Sequence, residues 1–542
     1  MPDSRPSRAA AAPWRALLFV HVVVLACLGL FLAWQLRPVA MHDLQLAEGE
    51  RLKCVSYAPY RKPGQTPFDE TLMISREQIV DDLTALARMT ECVRLYSVDQ
   101  GLDQVPEVAR EVGLKVLLGA WIGFDRQRNA RELDRAIAIA NDNADVVRML
   151  IVGNEVMLRR ERSEDELSEL IEYAKARTKV PITYADVWEF WLKHESLARA
   201  VDRVTVHILP FWEDNPVSVD TALSHVATVF EEVRTHFDKP VMIGETGWPS
   251  AGRQREASAP SQVNQARYIR EFVHRAHDEG WDYNLIEAID QPWKRRLEGT
   301  VGGYWGVLDV DLKPKFPLAG PVAERKDAGV PAMAAALGAL LCVGLPLVVR
   351  RGERSPGRLA AAAVIGMVAG LVAVLHWEHA ALAYRDAGEW MLLGTVFVVG
   401  LLAPLVLIGG ATESGIGSGA AAWRAFRKGG AAGLGASGYL GLLRAVLLFA
   451  AAIAALLLFA DPRYRDFPTL LFLIPALVFG SVGWFRPSRH GVEERVCAAV
   501  IAICVVGRWL PEPANPEAIA WLLTGLLLAA PTLRRGARED EQ

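Results

Sequence analysis

The sequence contains no C-x-x-C pair and no His/Cys spacing that would cage a metal, and its six cysteines are scattered. That excludes a zinc-ribbon or thioredoxin-like framework, and no metal or cofactor is expected. A basic patch interleaved with aromatics is also missing, so nucleic acid is not an expected partner. No glycine-rich phosphate turn follows an early strand, which argues against an open dinucleotide-binding sheet. Cys27, Cys342, Cys497 and Cys504 fall in apolar blocks. Cys54 and Cys92 open two expected strands and read as small buried hydrophobes. A disulfide between them stays open as an alternative in an oxidising compartment. The net charge of −4 averages unlike regions and excludes little.

What the chain does have is long apolar runs. Arg5, Arg8 and Arg15 precede roughly 20 mostly apolar residues up to Leu36, long enough for a membrane helix with a span of about 14–36. A cleaved signal would have a shorter apolar core and a small-residue cleavage site. The "VLAC" ending at Cys27 lies mid-span, so an uncleaved anchor is expected. Seven further blocks follow, near 330–349, 359–376, 390–408, 442–460, 468–485, 496–510 and 516–532. The basic stretches "RRGERSPGR", "WRAFRK", "RPSRHGVEER" and "RRGAR" all fall on alternate connections. Eight spans with both termini in the cytoplasm satisfy that pattern. The Gly-rich stretch 409–438 reads as an inner loop, with a short interfacial helix around Trp423 to Lys428. Arg444 and Arg508 lie near span ends and are expected to snorkel.

Between the anchor and the second block the composition turns ordinary. The expected organisation is a tail and anchor over 1–44, a soluble domain over 45–325, and a helical membrane domain over 326–542. The soluble part alternates β-branched runs with amphipathic stretches. The runs are 53–57, 92–97, 115–120, 146–152, 182–185, 203–208, 240–244 and 283–288. Eight such units fit a closed (β/α)8 barrel, an α/β architecture; an open doubly wound sheet is the runner-up. In a barrel the site lies at the C-terminal ends of the strands. "LIVGNE" then brings Asn154 and Glu155 to the rim from the fourth strand, and "VMIGE" brings Glu245 from the seventh. Two carboxylates converging on one mouth suit glycoside cleavage, with one as proton donor and the other as nucleophile or base.

These residues resemble a known family. "VGNE" (152–155), "GETGWPS" (244–250) and "IEAIDQPWK" (286–294) look like glycoside hydrolase family 17, the β-1,3-glucanase family. "VSYAPY", "VRLYSVD", "LLGAWI" and "GYWGVLD" follow in the family's order, so the resemblance covers roughly 50–320. It implies Glu155 as general acid/base, with a pKa raised toward neutrality, Glu245 as nucleophile, and Asn154 on the sugar 2-hydroxyl. Tyr57, Tyr96, Trp121 and Trp248 are expected to offer aromatic faces to sugar rings. Glu287 and Lys294 would bind sugar hydroxyls, position Glu245 or form an ordinary salt bridge. One departure stands out: "VHILPFWE" puts His207 and Leu209 where plant members carry Asn and Tyr. His207 would reach the sugar or the nucleophile, or be a satisfied rim histidine.

The departure points to the bacterial, membrane-bound branch, which resembles enzymes of cyclic β-1,3/β-1,6-glucan synthesis. The expected function is a retaining transglycosylase with a periplasmic catalytic domain, fixed to the inner membrane. Its expected partners are a β-glucan, the lipid bilayer and a separate membrane glucan synthase. A β-1,3-glucanase that hydrolyses is the alternative. A non-catalytic glucan-binding or glycan-export protein is the alternative of another class.

Overall fold

The computed structural model describes residues 12–44, 51–349, 355–409, 416–485 and 489–534. The chain forms two compact units: Pro38–Val322, and Met1–Arg37 together with Ala323–Gln542.

In the first unit, eight parallel strands close into a barrel in chain order. They are β1 (Val55–Ser56), β2 (Cys92–Arg94), β3 (Lys115–Ala120), β4 (Val147–Asn154), β5 (Ile182–Val187), β6 (Arg203–His207), β7 (Val241–Thr246) and β8 (Tyr283–Leu285). β1 pairs with both β2 and β8, which closes the ring and rules out the open sheet. The intervening helices begin where the sequence supplies caps. Ser75 accepts from Gln78 N at the start of Arg76–Leu86, and Ser163 and Glu166 form a reciprocal capping box before Glu164–Lys175.

Strand alternation sorts the side chains. Val55, Val93, Val116, Leu118, Leu150, Val152 and Ile243 face the helices and join the main core. Cys54, Cys92, Leu117, Met149, Ile151, Ala185 and Met242 form a separate cluster inside the ring. There Cys54 and Cys92 are joined by a disulfide. The reading of two independent buried hydrophobes is therefore corrected: β1 and β2 pair at Val55 and Val93, which sets the two thiols side by side.

The second unit is helical. Helices cover Ala12–Gln35, Gly329–Val349, Pro356–Ala383, Ala387–Gly409, Ala436–Ala460, Thr469–Phe485, Val492–Trp509 and Pro516–Leu533. Each expected apolar block is one of them. Five are long and apolar enough to cross a membrane: Trp14–Gln35, Pro356–Ala383, Ala387–Ile408, Ala436–Ala460 and Pro516–Leu533. Gly329–Leu345 and Thr469–Phe485 are apolar but shorter. Val492–Trp509 carries Glu493, Glu494, Arg495 and Arg508. Arg5, Arg8 and much of the basic loops at 350–358, 486–495 and 534–538 lie outside the described residues.

Arg444 corrects one expectation. Only 2% exposed, it does not snorkel. Its Nε donates to Glu494 at 2.9 Å, and its Nη2 donates to the carbonyls of both Gly417 and Arg489. Glu494 in turn accepts from Gly419 N and Gly491 N. A buried ion pair survives desolvation when further hydrogen bonds support it, and here Arg444 Nη2 and Glu494 Oε2 each make two.

Candidate active site

β4 and β7 both break their regular pairing where they reach the mouth of the barrel. On β4 the register with β5 shifts between Ile151 and Asn154. Gly153 sits there at φ +83°, where a Cβ would stand 2.7 Å from Val156 Cγ2. Glu155 follows at φ +53°, in the left-handed region that costs a non-glycine residue about 1–3 kcal/mol. On β7 the register with β6 shifts at the step from Val206 to His207, opposite Glu245. Such irregularities re-aim side chains, and here they turn both carboxylates into the same opening.

The two glutamates meet across His207. Its Nδ1 lies 3.0 Å from Glu155 Oε1 and its Nε2 lies 3.6 Å from Glu245 Oε1. One donor atom from each of Glu155, His207 and Glu245 lies within 4.8 Å of the other two. The trio has the donor types a divalent ion would use, although each member already has a partner. Gly244 makes room for the imidazole, since a Cβ there would stand 3.0 Å from His207 Cδ2 and 2.5 Å from Thr205 Cγ2.

Glu245 Oε1 accepts from Tyr96 Oη at 2.8 Å and from Arg94 at 3.1 Å. Arg94 also donates to Gly244 O at 2.7 Å and to Asn154 Oδ1 at 2.6 Å. A guanidinium only donates, so this bond fixes the Asn154 amide and turns its NH₂ away from Arg94. Behind Tyr96 the donor sequence is equally constrained. Asn284 Nδ2 donates to Ser56 Oγ at 2.8 Å, and Ser56 and Tyr96 share a 2.9 Å contact. Ser56 must donate to Tyr96, because the Tyr96 proton goes to Glu245. Burial and the Glu245 charge push the Tyr96 phenol up, so it remains a donor. Among the described residues no hydrogen bond reaches Oε2 of either glutamate, which leaves those oxygens available to a substrate.

The electrostatics of Glu155 run against expectation. Burial alone raises its pKa, but the hydrogen bond and charge of His207, with Arg159 and Arg94, outweigh burial and hold it below the ordinary carboxylate value. The histidine missing from the plant pattern is the cause. A further acid, Glu298, is pushed up by burial against the pull of Lys294, with Glu155 and Glu245 adding to the rise.

The expected residues divide by the side of the barrel wall they occupy. Tyr96, Asn154, Glu155, His207 and Glu245 point into the ring. Tyr57 and Trp248 do not, and their sugar-stacking role is corrected. Tyr57 is 1% exposed, one position out of phase with Ser56, and its hydroxyl donates to Asp82 on the helix Arg76–Leu86. Trp248, two residues past the end of β7, is fully buried and packs on Phe211 and Tyr268. His207, 1% exposed, touches the carboxylates and cannot also face a sugar. Trp121 is half-buried, with Arg159 stacked on its ring at 4.3 Å. Glu287, 1% exposed, receives Lys294 Nζ at 2.9 and 3.1 Å. Burial pushes Glu287 up to about 7, with Lys294 opposing. This pair acts as a buried brace, and only the half-buried Lys294 has surface to offer. Reading the sequence by motif missed Arg94, Ser56, Asn284 and Glu298. For Arg94 the signal was present: a lone cation inside the apolar strand "CVRLYS" needs a buried anion.

Residues 54–306 match the family model described as the BtgE/BtgC glycoside hydrolase domain. The barrel is similar to that glycoside hydrolase domain. Among curated proteins it is similar to a probable glucan endo-1,3-beta-glucosidase of Aspergillus clavatus, 27% identical over 289 residues, covering 47% of this chain and 41% of that one. A probable beta-glucosidase of Aspergillus flavus is 28% identical over 263 residues, covering 47% and 42%. The chain thus spans about two fifths of the length of these relatives. Among solved structures, the barrel is similar to an active-site mutant of Rhizomucor miehei beta-1,3-glucanosyltransferase in complex with laminaritriose. That match has 24% identity and a TM-score of 0.44, covering 51% of this chain and 98% of that one.

Proposed function

We propose that this chain is a retaining β-1,3-glucan-active enzyme that transfers the cut chain to a sugar acceptor. One observation carries the reading: oxygens of Glu155 and Glu245 approach within 4.8 Å across the barrel mouth. Retaining enzymes hold their two carboxyl groups about 5–5.5 Å apart, whereas inverting ones leave about 6.5–9.5 Å for a water.

In the first half, Glu155 gives its proton to the glycosidic oxygen as Glu245 Oε2 attacks the anomeric carbon. The C–O bond breaks, and a glucosyl ester forms on Glu245 with inverted configuration. In the second half, Glu155 takes a proton from an incoming hydroxyl, whose oxygen displaces Glu245 and restores the β-configuration. Tyr96 and Arg94 hold Glu245 Oε1, which keeps Oε2 aimed. The Asn154 NH₂ is placed to bind the sugar 2-hydroxyl. His207 favours the ionised Glu155 that the second half requires.

The reading extends to location and product. Five helices of membrane-spanning length support fixation in a bilayer, and the Cys54–Cys92 disulfide suits an oxidising compartment. We place the barrel on the outer face of the inner membrane, remodelling a glucan made by a separate membrane synthase, with new β-1,3 or β-1,6 bonds. Hydrolysis is the second reading, favoured by the glucosidase names of the relatives. A non-catalytic glucan-binding or export role would not require both glutamates. The test is to incubate the full chain, in detergent, with laminari-oligosaccharides and to follow product mass and linkage. Products longer than the substrate support transfer; exclusively shorter ones establish hydrolysis, and unchanged substrate contradicts both.

A further inference from the structure

The helix Gly419–Gly429, in the connection between Ala387–Gly409 and Ala436–Ala460, plays no part in the chemistry above. Ser418 caps it, accepting from Ala421 N. Its 11 residues extend about 17 Å, too short for a hydrocarbon core of about 30 Å. It therefore does not span. Its sequence is nonetheless strongly two-sided. At helical spacing Gly419, Ala422, Trp423, Ala425 and Phe426 share one side, while Arg424, Arg427 and Lys428 share the other.

The neighbouring helix covers only part of the apolar side. Gly419 and Ala422 are buried, and a Cβ at Gly419 would stand 2.4 Å from Ala445 Cβ of Ala436–Ala460. The apolar strip continues past that contact. Trp423 and Phe426 stack on each other at 5.7 Å, yet remain 52% and 37% exposed. Two large aromatics left outside a packed seam, beside three cations, form the signature of a helix lying in a bilayer surface. Charge settles the kind of surface. From Ile416 to Gly438 the chain has no Asp or Glu, so nothing on this stretch neutralises Arg424, Arg427 and Lys428. The nearby Glu494 is committed to Arg444.

We propose that Gly419–Gly429 is a membrane-surface helix that seats Trp423 and Phe426 among acyl chains and binds anionic phospholipid headgroups through Arg424, Arg427 and Lys428. The proposal rests on the membrane reading of the helical unit. Anionic lipid at this point would hold the connection flat against the bilayer. It would also brace Ala436–Ala460 through the Gly419 contact and the Arg444–Glu494 pair.

The test uses the full chain with Cys27, Cys342, Cys497 and Cys504 replaced and the Cys54–Cys92 disulfide kept. A nitroxide is attached at Trp423→Cys, Ala421→Cys or Phe449→Cys in separate preparations. Each is reconstituted into vesicles of phosphatidylcholine, or of an equimolar mixture with phosphatidylglycerol. Collision with oxygen reports lipid exposure, and collision with a nickel chelate reports water. The expected result in the mixed vesicles is oxygen exposure at 423, chelate exposure at 421 and oxygen exposure at 449 on the spanning helix. Omitting phosphatidylglycerol, or introducing Arg424→Gln, Arg427→Gln and Lys428→Gln together, should lower the oxygen-to-chelate ratio at 423 severalfold and leave 449 unchanged. Lipid exposure at 449 with water exposure at 423 overturns the surface helix. Equal oxygen exposure at 423 in both vesicles overturns the anionic preference. Water exposure at 449 overturns the membrane reading and this proposal with it.

Discussion

His207 is the residue on which the chemistry of this barrel turns, because it bridges both carboxylates and holds Glu155 low. Replacing it with Gln removes the imidazole whose hydrogen bond and electrostatic pull lower Glu155, and leaves burial as the main influence on that carboxyl. The Glu155 pKa then rises, so the proton needed for the first half is retained to higher pH. The alkaline limb of the kcat/KM profile should move up in His207→Gln. A limb that stays put or moves down contradicts the assignment. Arg94 is equally buried, 1% exposed, and its removal strands Asn154 Oδ1 and a buried carbonyl and takes one donor from Glu245. Arg94→Leu should lose about 3–5 kcal/mol of stability in urea unfolding, and a loss below about 1 kcal/mol would show the guanidinium to be dispensable. Glu155, Glu245 and Asn154 were legible in the sequence because each closes a recognisable apolar run. Asn284 was not, since its partners Ser56 and Gly244 lie far away in the chain, and for Arg94 the sequence shows a cation in need of an anion but not which one. The lowered Glu155 pKa was illegible for a similar reason: the sequence shows a histidine at 207 but not the 3.0 Å contact that makes it a partner.

At the scale of elements, the eight strands were legible in place and order because a parallel barrel strand is apolar on both faces, although β1, β2 and β8 are about half as long as the runs that contain them. What period-two alternation could not convey was where the alternation fails. Tyr57 and Trp248 look like rim aromatics when position is counted along the chain. In the barrel they face the helices, one to Asp82 and the other to Tyr268. Glu245, conversely, reaches the opening only because the β6–β7 register shifts beside it. The kink on β4 depends on Gly153, whose φ of +83° and near neighbour Val156 leave no space for a side chain. Gly153→Ala should cost about 1–3 kcal/mol in stability and should also displace Glu155, lowering kcat more than it raises KM. A loss of stability with kcat unchanged would show that the kink is structural only.

At the scale of the molecule, the alternation of basic connections predicts both termini in the cytoplasm, although the structure describes only part of those loops. A reporter fused after Gln542 should be active in the cytoplasm, and activity on the outer side would contradict the eight-span topology. The apolar blocks were legible because hydropathy accumulates over each run. The Arg444–Glu494 pair was not, because its partners come from separate helices 50 positions apart. The account as a whole stands on the covalent step between substrate and Glu245. The direct measurement is to trap the enzyme with a 2-deoxy-2-fluoro-β-glucosyl donor bearing a good leaving group, then map the modified peptide by mass. The account predicts one fluoroglucosyl adduct, on Glu245, that disappears in Glu245→Gln. An adduct on any other carboxylate, or an enzyme that turns the donor over to an α-configured product with no adduct, would contradict it.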